Sequence, residues 1–219
     1  MKKFFALALI VFFLTSCKNE LTFKEEHFLK KSSLPCKENC PEVTLTVPVA
    51  ENVPIVADSI NKKVFAVVKE IIYFGEKPYP STDYQGLLDS FIASYDEMKT
   101  KNPKEIFGWE GKIEGKVAYE SDSLINITIK HYTFTGGAHG YEGIRSLLFD
   151  PKTGKNIPTE FLFRDLNKFR AFAETKFRAK YKIPTEQNIN ATGLMFEEDV
   201  FELPLSFFYT EKGLLLYYN

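Results

Sequence analysis

The chain is poor in the residues that usually carry catalysis. Among 219 residues it has three cysteines, three histidines and one tryptophan. It has no Gly-x-Ser-x-Gly elbow, no phosphate-binding Walker loop, no His-Glu-x-x-His pair and no zinc-type Cys/His spacing. These gaps withhold the usual signatures of serine hydrolases, nucleotide hydrolases and zinc proteases. The net charge is −1, which leaves no basic footprint for nucleic acid, so no nucleic-acid partner is expected. No cofactor and no metal ligand set is legible. The longest apolar run, Phe4–Leu14, is far short of the roughly 20 residues a bilayer-spanning helix needs.

That run has another use. Lys2 and Lys3 precede it, and Leu14-Thr15-Ser16-Cys17 closes it with small residues before a cysteine. Residues 1–16 therefore read as a lipoprotein signal peptide, with cleavage before Cys17 and acylation of that cysteine. Each acyl chain contributes about 0.8 kcal/mol per buried CH₂, so two or three chains hold a domain at a membrane. The mature chain begins at Cys17, loses Lys2 and Lys3, and carries a net charge of about −3. The expected location is the bacterial cell envelope, periplasmic or surface-exposed, with the membrane reached through the lipid.

Cys36 and Cys40 remain, spaced C-x₃-C. In an oxidising compartment that pair closes a small loop as a disulfide. The other reading, half of a metal site, lacks a second Cys or His pair nearby.

Residues 17–35 are charged and show little apolar periodicity, which predicts a tether; His27 receives no role there. From Glu42 the pattern alternates, as a strand does. Residues 57–74 then place Ile60, Val64, Val67, Val68 and Ile71 on one helical stripe. A second helix is expected over 81–103, with Thr82 and Gln85 at capping-box spacing. Two alternating runs flank Ser121-Asp122-Ser123 and predict a hairpin on which Ile125, Ile127, Ile129 and His131 share a face. A turn at Pro151–Gly154, a helix capped by Asp165 and a terminal hairpin around Glu211-Lys212-Gly213 complete the pattern. The expected fold is α+β, an antiparallel sheet covered by helices.

Four pieces of the second half carry a resemblance: Thr135-Gly136-Gly137-Ala138-His139, Phe149–Lys155, Leu203-Pro204 followed by Phe207, and Gly213-Leu214 before Tyr217-Tyr218-Asn219. With the upstream Cys pair, strand and helices, residues 36–219 resemble the extracellular domain of RsiV-type anti-sigma factors, the PdaC/SigV-type domain that also accompanies the peptidoglycan deacetylase PdaC. The resemblance implies an envelope-facing, RsiV-like α+β domain divided into an N-terminal part, 36–105, and a C-terminal part, 106–219, the latter truncated at its end. It implies a lysozyme-like protein or peptidoglycan fragments as partner. In RsiV a transmembrane helix precedes this domain; here a lipobox does. The Asp and paired His ligands of the deacetylase have no counterpart.

The remaining candidate is the interrupted run His131–Gly143. Gly136, Gly137 and Gly140 can adopt left-handed backbone or admit a close neighbour, and His139 and Tyr141 project beside them. These five residues form a candidate binding loop. His139 with Glu142 would serve a carbohydrate-active or hydrolytic enzyme, the alternative function. The third reading gives the loop a structural role, with glycines shaping a turn and His139 bonding backbone carbonyls. A separate reading makes the chain a purely structural lipoprotein without a soluble ligand. No catalytic residue is assigned. His131, on an apolar strand face, reads as a core histidine holding one hydrogen bond.

Overall fold

Strand β2, Glu42–Glu51, buries Val43, Leu45 and Val47 and turns its threonines the other way. That alternation fixes which face of the sheet is covered. Pro54 then starts helix α1, Pro54–Ile72, where its missing N–H costs nothing. Ile60, Val64, Val68 and Ile72 point inward from it, fully buried. Helix α2, Tyr84–Lys101, adds Leu87, Leu88, Phe91 and Ile92 to the same layer. Its cap is Asp83, not Thr82: the Asp83 carboxylate accepts from Gly86 N at 2.7 Å. The computed structural model describes residues 20–103 and 107–218. The signal peptide expected at 1–16 and the lipidation expected at Cys17 fall outside them.

Strands β3 (Glu110–Glu120), β4 (Ile125–Phe134) and β5 (Tyr141–Phe149) follow as a meander. The sheet order is β1-β2-β3-β4-β5. Its pairings are antiparallel except that β2 and β3 run parallel. Parallel neighbours need a crossover, and α1 and α2 provide it. Trp109 anchors this layer, against the rings of Phe74, Phe91 and Tyr95. Cys36 and Cys40 form a disulfide in the β1–β2 connection, with Cα atoms 5.5 Å apart.

Two expectations are corrected. The tether over 17–35 is, for most of its length, a strand: β1, Thr22–Lys31, pairs with all of β2 from Thr22↔Glu51 to Lys31↔Glu42. Its charged residues hid it, because β1 is an edge strand and charge is how edges are blunted. Phe28 still packs inward against the main core. The division expected at 105/106 also runs through one sheet and one core, since residues from Val43 to Phe149 form a single apolar cluster.

A second cluster lies beyond it. Helix α3, Leu166–Tyr181, is capped by Asp165, whose carboxylate accepts from Lys168 N at 3.0 Å. Ala173 packs there with Ile183, Ile189 and Phe201. The hairpin of β6 (Ser206–Thr210) and β7 (Gly213–Tyr217) joins this unit to the sheet. Asn126, fully buried on β4, is the joint. Its amide nitrogen donates to Ser146 Oγ at 2.8 Å, and its oxygen accepts from Tyr209 N at 2.9 Å. Ser146 in turn donates to the Phe207 carbonyl.

Asn126→Ala strands the half-buried Tyr209 N–H, a cost of about 1 kcal/mol, the lower end of the range for a lost partner. Urea unfolding is expected to show a midpoint lowered accordingly; an unchanged midpoint would mean the hairpin is held by its apolar contacts alone.

Candidate functional site

The β4–β5 connection, Thr135–Gly140, turns tightly at one pole of the sheet. Gly136 and Gly137 take φ of +110° and +95°, where any side chain would be strained. Gly140 is held to glycine for a different reason: a Cβ there would fall 2.4 Å from the Tyr132 ring. His139 is exposed, and its Nδ1 lies 3.0 Å from the Gly140 carbonyl, one residue on. No carboxylate lies within bonding distance of its ring among the described residues, so Glu142 does not orient it. The histidine pins its own turn.

The structure brings the two motif regions of the sequence together at this pole. Gly137 and Cys40 line one hollow of about 540 Å³ with Phe107, Trp109 and Phe134. Phe107 is exposed there, and so is Tyr141 at the foot of β5.

His131 sits on the helix-covered face between Ile113 of β3 and Gly143 of β5. It is buried as expected, but the expected hydrogen bond is absent: among the described residues neither ring nitrogen has a partner. A Cβ at Gly143 would come within 2.7 Å of Nε2, so the glycine makes room for the ring. Tyr141 flanks it at 5.5 Å between centroids. Burial, and then the Arg145 charge, hold the imidazole below its ordinary pKa. Among the described residues, no three His, Cys, Asp or Glu side chains are placed to hold a metal ion.

A larger concavity lies on the opposite face, which α1 and α2 do not cover. Lys112 and Glu114 of β3, Lys130 and Tyr132 of β4, and Glu142 and Ile144 of β5 form its floor. Tyr217 and Tyr218, from the end of β7, form a wall, and the volume is about 820 Å³. Lys112 pairs with Glu114 at 3.1 Å. A smaller hollow of about 360 Å³ continues the trough through Glu114 and Lys130 to Lys116, Thr46 and His27. His27 bonds Thr46 Oγ1 at 3.0 Å through Nδ1, while its Nε2 lies 3.1 Å from Glu25. The Tyr218 hydroxyl donates to the Glu202 carbonyl at 2.9 Å. Burial, Glu202 and Tyr181 push its pKa up to about 12. Tyr217 remains 41% exposed, ready to present its ring to a ligand.

Sequence reading missed this trough. The outward alternation of Lys112, Glu114 and Lys116 was a visible signal of a polar sheet face. That Tyr217 and Tyr218 stand beside that face was not visible.

A family model described as "Deacetylase PdaC" matches residues 35–142. Over those residues the chain resembles the PdaC-type domain. The match begins at the disulfide loop and ends on the second residue of β5, so it takes in α1, α2 and much of the trough's floor. The matched stretch and the C-terminal unit together are similar to two solved bacterial structures. One is a DUF3298 family protein from Bacteroides fragilis, 20% identical, covering 91% of this chain and 83% of its own, with a TM-score of 0.68. The other is a DUF3298 family protein from Pseudomonas aeruginosa, 18% identical, covering 89% and 80%, with a TM-score of 0.59. At these identities the likeness shows the fold. No curated protein matches the chain.

Below about pH 6.5, the ordinary histidine value, the unfolded chain takes up a proton at position 131 that the fold resists. Stability is therefore intact above that pH and falls as the pH drops toward the depressed value in the fold. His131→Leu is expected to flatten this slope in denaturant titrations across the window. His139→Ala, at an exposed site, is expected to shift stability by less than about 0.5 kcal/mol.

Proposed function

We propose that the chain is a bacterial cell-envelope lipoprotein, anchored through acylated Cys17, that binds a ligand in the trough on the open face of its sheet. The ligand classes are a lysozyme-like protein and peptidoglycan glycan. The observation that carries this reading is the trough itself, where tyrosine rings stand beside lysines and glutamates on a rigid sheet. Rings stack on the apolar faces of sugars, and paired charges and hydroxyls orient a polar ligand between them. A lysozyme surface, cationic and grooved, would meet Glu114 and Glu142; a glycan bearing carboxylates would meet Lys112 and Lys130. Nothing in the trough depends on proton transfer by His139, and binding without turnover is the expected behaviour.

Calorimetric titration of the full chain with lysozyme, and separately with muropeptides, tests this. Saturable binding of at least one is expected. Tyr217→Ala should weaken it about tenfold, about 1.4 kcal/mol, as should Lys130→Glu for a glycan or Glu142→Lys for a lysozyme-like protein, and His139→Ala should leave it unchanged. Silence toward both ligands, or affinity indifferent to both trough substitutions, would overturn the assignment. Loss of hydrolytic turnover in His139→Ala would install the enzyme reading instead.

A further inference from the structure

We infer that β1 is a dimerisation edge, joining two copies of this chain into one continuous sheet. Strand β1 is the outer member of the five-stranded sheet, ten residues long. Among the described residues, its outward N–H and C=O groups are therefore unpaired within the sheet. What selects a partner is the charge order along it, Lys24-Glu25-Glu26-His27-Phe28-Leu29-Lys30-Lys31.

Two copies of one strand meeting about a two-fold axis must pair antiparallel, and successive residues send their backbone groups to opposite edges. The axis therefore passes through a residue facing itself, and each choice of that residue can be judged. With His27 at the axis, Lys24 faces Lys30 of the second copy. With Glu26 there, two carboxylates face each other. With Leu29 there, His27 faces Lys31. With Phe28 at the axis, Glu26 faces Lys30 and Glu25 faces Lys31, and the two-fold repeats both pairs. Opposite charges directly across a ladder stabilise it, and like charges oppose it. The Phe28 register is the self-complementary one.

The neighbouring side chains fit this register. Leu29, 55% exposed, would be covered by His27 of the second copy. Phe28 already packs against Tyr84 at 5.4 Å, and Tyr84 against Phe65 at 5.2 Å. They line a hollow of about 420 Å³ beside the open edge, where a second Phe28 would extend the cluster. Within one copy, Lys30 pairs with Asp89 and Lys31 with Glu42. Both pairs are solvent-exposed and yield easily or share their lysine. The contact is the same patch on both copies, so it closes at two and does not propagate.

Sedimentation equilibrium of the full chain in density-matched detergent should show a monomer–dimer equilibrium. Glu26→Lys and Lys30→Glu should each raise the dissociation constant at least about tenfold by placing like charges across the ladder. The double variant restores opposite charges and should return it to near the starting value. Far-UV circular dichroism of each variant should match the parent, separating lost association from lost folding. Oxidation by air with copper phenanthroline should link Phe28→Cys chains into a disulfide dimer and leave Leu29→Cys chains monomeric. A monomer at every concentration, a double variant no better than the singles, or equal cross-linking at both positions would overturn the inference.

Discussion

The parallel pairing of β2 with β3, Glu42↔Glu110 to Thr46↔Glu114, sets the arrangement of everything else. A parallel pair cannot be closed by a hairpin, so the intervening chain must cross over one face of the sheet. Here that chain is α1 and α2, and their apolar stripes have one place to go. Val43, Leu45, Ile113, Ile127 and Ile129 are buried because they lie on the crossed-over face. The opposite face is left polar by the period of two, without further instruction from the sequence.

That polar face is then partly claimed by the C-terminal unit. The claim is made at one end by hydrogen bonds that tie buried Asn126 and half-buried Ser146 to the backbone of β6. Burying an asparagine is costly unless its bonds are made, so the site accepts the hairpin in one position only. Fixing the hairpin there sets Tyr217 and Tyr218 beside Lys112, Lys130 and Glu142. The trough is thus the uncovered remainder of a face whose other end carries the joint between two apolar clusters.

Much of the fold was legible in the chain. The helical stripes, the hairpin at Ser121–Ser123, the Asp165 cap and the turn closing at Gly154 are local, and short-range chemistry dictates them. The disulfide between Cys36 and Cys40 was legible for the same reason. Strand β1 was not, because an edge strand shows one covered face and charges elsewhere, and its pairing depends on a partner twenty residues on. In the candidate loop the glycines answer different demands, which the sequence does not distinguish. Gly136 and Gly137 serve the backbone, while Gly140 yields space to Tyr132.

By itself the sequence determined the class of fold, the positions of most elements, the disulfide loop and the polarity of each strand's two sides. All of these follow from spacing along a chain whose backbone has two soft torsions per residue. Tertiary structure alone decided that β1 joins the sheet, that His131 lies against Gly143 without a hydrogen-bond partner among the described residues, and that two C-terminal tyrosines wall a trough floored by β3, β4 and β5. Each of these brings together residues far apart in sequence, and their meeting is set by packing and register, which no local pattern encodes.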